Sequence, residues 1–423
     1  MSAAATPEAR RAFGRGQLGP VFSAFAQLLQ AAARRDGVRH LVFVARDGEF
    51  LREVQRCWQA ASAEADPPAL HYAYLSRRST NLLRLERVDA AAVQRALEVR
   101  AGRPTAAALL RLLGVDVETL PAPLQSEIAT LAPDGLARWA ERADFQHELT
   151  VQRERLTAQL SAYLASWGLP GATDVAFVDI GWQGSIVRTL QQTLCAAGQR
   201  LRLYQLGHWS ETLPLPDTPA HIEGLLGDWR RARSLREAAI YHLALLLEAV
   251  CREHAPPVVG YDGMATVQPR FADAAPDADS ERENALWREP IRAGILEAVA
   301  ALGREPMRGD PSAWRQAAQR RLWRLAYFPN AAARQAAMGL RHAEGHAAGW
   351  SAALIVSPLP RPWRWPRAWV AGLASPWRAG YLMATGGVLL AGLYALLEAG
   401  LLAAPPHWRT GLRDMARRFG RID

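Results

Sequence analysis

Cysteine is scarce, with three in 423 residues, and Cys57, Cys195 and Cys251 lie too far apart to build a disulfide framework or a zinc knuckle. A reducing compartment is expected. The opening stretch MSAAATPEARRAFGRG lacks an apolar core of signal-peptide length, so secretion is not expected. Zinc spacings, aromatic RNA-binding signatures and basic helices with heptads are all missing, and the basic residues are scattered, so no nucleic-acid partner is expected. Lysine is absent, so the positive charge is arginine throughout. What is present is the composition of a folded protein: half the residues are hydrophobic and 22% charged. Fifty basic against 41 acidic residues leave a net charge of +9. Such a chain favours a phosphorylated ligand or an anionic surface, and arginine suits bidentate phosphate contacts.

The run VAFVDIGWQGSIVRTL, residues 175–190, reads as a buried strand, a small-residue loop and a helix. Val175, Phe177 and Val178 supply the apolar strand, Asp179 ends it, and Gly181 and Gly184 let the backbone curl. Ser185 is expected to cap a helix carrying Ile186, Val187, Leu190 and Leu194 at helical spacing. The free amides of its first turn make a phosphate site, although an ordinary capped turn explains the pattern as well.

The same grammar occurs earlier. An amphipathic helix over 18–35 leads to a strand from His40 to Ala45, which ends in Arg46-Asp47-Gly48 before a helix marked by Phe50, Leu51, Val54, Cys57 and Trp58. A second strand, Leu70 to Ser76, closes with Arg77-Arg78-Ser79, and the three pieces form a parallel βαβ unit. Residues 82–167 look helical and read as an insertion or cap that covers the cleft. Strands resume at 175–179 and 201–206, and one long apolar helix is expected over 235–251, carrying Glu248 as an acid that faces the acceptor or, the simpler reading, is partly buried and paired. Helices are expected on to about 341. The fold expected is α/β with a parallel sheet, a helical insertion and a helical C-terminal region. Its parts are a helical segment 1–38, an α/β domain 39–260, a helical accessory region 261–349 and a tail 350–423.

In the tail, Trp363, Trp365, Trp369 and Trp377 alternate with Arg361, Arg364, Arg367 and Arg378. Residues 379–397 carry no charge and reach the lower edge of a membrane-spanning length. Association with the inner face of the cytoplasmic membrane is expected from this tail, with a buried core helix as the alternative.

Loops 46–49, 76–79 and 179–185 should meet at the carboxyl edge of the sheet. Asp47 there is a ligand for Mg²⁺ or a base toward an acceptor hydroxyl, or else only a helix cap; Arg77 and Arg78 are phosphate contacts or solvated strand-end charges. In their order, VFVARDGEF, YLSRRS and VDIGWQGS resemble a domain of bacterial surface-polysaccharide proteins that is similar to type I phosphoribosyltransferases and occurs with a phosphatase of the haloacid-dehalogenase type. The likeness covers roughly residues 20–340. It implies a type I phosphoribosyltransferase-like sheet and transfer of 5-phosphoribosyl from phosphoribosyl pyrophosphate, with Mg²⁺, to a lipid-linked glycan of O-antigen or capsule. By that resemblance Arg46, Asp47 and Gly48 form the pyrophosphate loop, Arg77 and Arg78 grip the same group, and Asp179 contacts the ribose hydroxyls. Gly181, Gln183, Gly184 and Ser185 would cradle the 5-phosphate. Ile180 stands where the family has a second acid, and Trp182 intrudes in its loop. A separate phosphatase is expected because no DxDx[TV] motif occurs. Two other readings stand beside the transferase: a phosphatase with Asp47 as nucleophile, and a non-catalytic phosphosugar-binding protein of polysaccharide assembly.

Overall fold

Strand β1, His40–Val44, is apolar on both sides: Leu41 and Phe43 enter one core while Val42 and Val44 enter another. A strand buried on both faces belongs inside a parallel sheet with helices above and below. The computed structural model has that architecture. It describes residues 5–64, 66–98, 104–209, 220–230, 234–253, 255–264, 266–272, 278–304, 310–338, 340–343, 351–353 and 377–403. Strands β1, β2 (Ala69–Ala73), β3 (Val175–Asp179), β4 (Arg202–His208) and β5 (His221–Asp228) form one all-parallel sheet in the order β2-β1-β3-β4-β5. His40 pairs with Ala69 on one side and with Val175 on the other. Strand order therefore reverses between β1 and β3, and at such a point the flanking loops part and leave a crevice at the carboxyl edge.

One face of the sheet carries α1 (Pro7–Phe13), α2 (Gly19–Arg35), α3 (Gly48–Ser62), α11 (Leu235–His242) and α12 (Ala244–Cys251). It also carries α13 (Ala278–Arg304), α14 (Pro311–Tyr327), α15 (Ala331–Ala337) and α16 (Arg378–Ala403). The helices after residue 278 thus share a core with α2 and α3. On the other face lie α4 (Arg77–Thr80), α5 (Ala90–Glu98), α6 (Ala106–Leu112), α7 (Ala122–Thr130), α8 (Leu136–Trp139), α9 (Ala143–Ala165) and α10 (Ser185–Leu194). The stretch expected to be a helical insertion is helical, and its leucines pack on Val42, Val44 and Phe177, so it builds the second layer of the sheet.

Several expectations need correction. The strand after α3 ends at Ala73, because Ser76 is already the cap of α4: its hydroxyl accepts from the Ser79 N–H at 2.9 Å, and Ser79 returns the bond. Strand β5 had no apolar signature to announce it. The helix expected over 235–251 breaks at Leu243, whose backbone ends α11 and opens α12. The boundary expected at 260 falls inside β6 (Val258–Asp262), which pairs antiparallel with β7 (Gln268–Phe271). That hairpin is tied to the sheet edge by Ser76 Oγ donating to the Val258 carbonyl at 2.7 Å and Tyr261 Oη donating to the Tyr74 carbonyl at 2.7 Å. All three cysteines are free.

In the tail, no helix among the described residues is long and apolar enough to cross a membrane. Helix α16 bends at Gly387, where φ is 64°, and its Tyr381, Leu382, Leu390 and Tyr394 enter the core with Trp377. Trp363, Trp365 and Trp369 lie outside the described residues.

Candidate functional site

The crevice between β1 and β3 is lined by the three loops picked out in the sequence. After β1 the chain passes through Arg46 and Asp47 into α3. Asp47 occupies the N-cap position, but its side chain makes no capping bond, so the helix-cap role does not hold for it. The carboxylate is mostly buried among the guanidinium groups of Arg46, Arg252, Arg77 and Arg292; burial pushes its pKa up and those charges pull against the rise. Gly48 is buried, and a side chain on it would press on Phe43 of β1, so its place in this loop has a packing reason of its own.

Asp179, at the end of β3, faces the same space. Its Oδ1 accepts from the Ile180 N–H at 2.8 Å. Burial first, and the negative charge of Asp47 second, push its pKa up to about 8. A third acid, Glu248 of α12, joins them: burial and Asp47 push it up to about 7, while the indole N–H of Trp182, donating to Glu248 Oε1 at 2.7 Å, restrains the rise. Three carboxyls so crowded cannot all ionise cheaply, so the crevice is poised to hold protons or a cation.

Arg77 opens α4 as an exposed residue whose charge reaches Asp47, Asp179 and Glu248. Arg78 does not share the crevice. It turns to the helical layer beside Arg111, Glu118 and Asp116, where burial first and Arg111 second lower its pKa. Of the two adjacent arginines, only Arg77 serves the site.

The third loop is fixed by backbone contacts. Gly207 N–H donates to the Ile180 carbonyl at 3.2 Å and Trp209 N–H to the Trp182 carbonyl at 3.0 Å, so the loop stays zipped to β4. The Gly181 φ is 151°, and a Cβ there would overlap the Gly207 carbonyl oxygen. Gly181→Ala is expected to cost about 3 kcal/mol in a denaturant titration, since neither backbone can give way. The peptides Ala45–Arg46 and Gly181–Trp182 are both cis. Trp182 lies on Gly207 and edge-on to Tyr241, which stacks on Trp209 at 4.4 Å.

Helix α10 begins at Ser185, but the cap is Gly184 with φ 66° and no side-chain bond, so Ser185 is the first helical residue and its hydroxyl is not a cap. The amides of that turn are therefore left for a ligand or solvent. Gln183 is exposed beside them. Two features here escaped the sequence reading. Gln205 of β4 is fully buried near Gly184, and its Nε2 has no hydrogen-bond partner; Arg188 stands one turn into α10. Arg252 and Arg292 were also missed. Arg292 reaches from α13, donating from Nε to the Val250 carbonyl at 2.7 Å, which fixes the end of α12. Nothing in a chain so rich in arginine marks these from their fellows, whereas Arg188 stands at helical spacing from Gly184. The chain contains no lysine, so every fixed cation at this rim is an arginine.

Among the described residues one group of three metal-capable side chains lies close together, Asp36, His221 and Glu223. It sits at the amino edge of the sheet, away from the crevice, and Arg35 already bridges Asp36 at 2.8 Å and Glu223 at 2.6 Å. Compared with known proteins, the chain matches no family model and no curated sequence.

Proposed function

We propose that the chain transfers 5-phosphoribosyl from phosphoribosyl pyrophosphate to a lipid-linked glycan at the inner face of the cytoplasmic membrane, in the synthesis of a bacterial surface polysaccharide. The observation that carries this reading is the meeting of Asp47, Asp179 and Arg77 in one crevice with the open amide turn of α10 beside them. A ligand matched to that surface is anionic at both ends and bears hydroxyls between. In this reading the sheet is of the type I phosphoribosyltransferase-like kind.

Each group then has a task. Arg46 and Arg77 bind the pyrophosphate and hold its charge as it departs. The α10 amides with Gly181, Gln183, Gly184 and Ser185 take the 5-phosphate, and Asp179 accepts bonds from the ribose hydroxyls. The donor set fits Mg²⁺, being hard carboxylate oxygen that crowds its own kind; Asp47 would hold the ion with Asp179 near, and bound there it would neutralise the leaving pyrophosphate. The acceptor hydroxyl attacks the ribosyl carbon as the bond to pyrophosphate breaks, and its proton passes to a carboxylate of the crevice. Exposing the final ribofuranose falls to a separate haloacid-dehalogenase-type phosphatase.

The test is direct. The protein with Mg²⁺, phosphoribosyl pyrophosphate and synthetic glycan acceptors should release pyrophosphate and yield a phosphoribosyl mass increment, and Asp179→Asn should raise the donor KM about tenfold, the loss of one charged hydrogen bond. A second reading draws on Trp182, whose indole is committed to Glu248 where the resembling family has no such residue: a cleft that binds the phosphosugar for assembly. Donor binding without turnover, under every acceptor tried, would establish that instead.

A further inference from the structure

From Tyr381 to Leu397 helix α16 carries no charged residue, yet its described side chains are covered on one side only. Tyr381, Leu382, Leu390, Tyr394 and Ala395 are buried against the body of the protein, while Val388, Leu389, Leu393, Leu396 and Leu397 stand in solvent, Leu396 at 71% exposure. Those five make up most of the large hydrophobic side chains exposed among the described residues; Val151, Tyr241, Met264 and Leu286 are the others. A soluble helix alternates an apolar stripe with a polar face, and one without a polar face belongs in a core or in lipid.

The helix is fastened so that this strip cannot turn inward. His242 Nε2 of α11 pairs with Glu398 at 2.9 Å. Trp377 donates from Nε1 to the Ala326 carbonyl at 3.3 Å, and Leu402 packs on Trp209 and Trp229. The preceding sequence is one-signed: from Trp350 to Trp377 there are three arginines, Arg361, Arg364 and Arg367, and no acid, while Arg378 is drawn to Tyr394 and Glu398 of the helix itself. A basic, tryptophan-bearing segment joined to an apolar strip complements an anionic bilayer, whose acyl boundary takes the leucines and whose headgroups take the arginines.

We infer that α16 is a one-sided membrane-docking element, lying in the plane of an anionic bilayer on Val388, Leu389, Leu393, Leu396 and Leu397 while its other side stays in the protein core. The docking stands on the helix alone; only the further step, that it brings the crevice to a lipid-linked acceptor, rests on the proposed reaction.

The full-length chain, with no donor present, is sedimented with vesicles of phosphatidylcholine alone or with phosphatidylglycerol added. Binding to the anionic vesicles is expected, and Leu389→Glu with Leu396→Glu should weaken it at least about tenfold without changing the melting temperature. Leu286→Glu, the same change at another exposed leucine, should leave it intact. Absent binding by the parent chain, or equal binding by the double variant, overturns the inference. So does a parent dimer that the double variant converts to monomer, since a second copy would then be the occupant. Because pyrophosphate release is measured separately with a soluble acceptor, lipid binding and transfer fail independently.

Discussion

Asp47→Asn is expected to lower pyrophosphate release by about a thousandfold or more, which corresponds to about 4 kcal/mol of lost transition-state stabilisation. The carboxylate lies among Arg46, Arg252, Arg77 and Arg292 and opposite Asp179, so it is the point on which the charges of the crevice converge. The change should not harm the fold. Asp47 does not cap α3, and an amide is cheaper to bury than a carboxylate, so the variant should keep its circular dichroism and melt no lower than its parent. Full turnover in a well-folded Asp47→Asn protein would remove Asp47 from the chemistry and the proposed transfer with it.

The second large effect concerns stability against pH. In the free protein with chelator present, Asp179 and Glu248 hold protons up to about pH 8 and about pH 7, well above where an unfolded chain releases them. At low pH, with carboxyls protonated in both states, they cost nothing. As pH climbs through the range between the ordinary carboxylate value and about 8, the unfolded state loses protons that the native state keeps, and native stability falls. A rise from 3.8 to about 8 sets an upper bound of about 6 kcal/mol. Because Asp47 and Glu248 share that repulsion, Asp179→Asn should return about 3 kcal/mol at alkaline pH and flatten the profile. Thermal melts from pH 5 to 9 decide it: a flat parent curve, or an asparagine variant that melts lower, would mean that these acids are not crowded.

The elements around the crevice were legible because β1 and β3, covered on both faces, are near-continuous apolar runs, each followed by a helix with clear spacing. Strand β5 was not, since HIEGLLGD carries Glu223 and Asp228 inward. Each is paired, Glu223 with Arg35 and Asp228 with Arg230, and no local pattern reveals a partner so remote as Arg35. Gly227 looks like a turn signal, yet it makes room for Glu237 and Ile240 of α11. Arg77 and Arg78 were inseparable in sequence because only a helical turn, which rotates successive residues by roughly 100°, sends one to the crevice and the other away. Glu248 was legible as a paired acid, but its partner Trp182 lies across the fold. The tail's apolar run was readable as a membrane-associating segment or a core helix; α16 is not long and apolar enough to span, and it packs one side into the core while leaving the other exposed.

Strand β3 sits beside β1 although the whole layer from α4 to α9 separates them along the chain. During synthesis, Arg46, Asp47 and Arg77 therefore emerge long before Asp179 and the turn that completes their surroundings. Contacts this remote close slowly and late, so a nascent or truncated chain ending before residue 175 would carry Arg46, Asp47 and Arg77 without Asp179, Glu248 or the α10 turn, and so without competence. Whatever binds the crevice would accordingly reward only the finished molecule, and proteolytic nicking between α4 and α9 should abolish binding without touching a single contact residue.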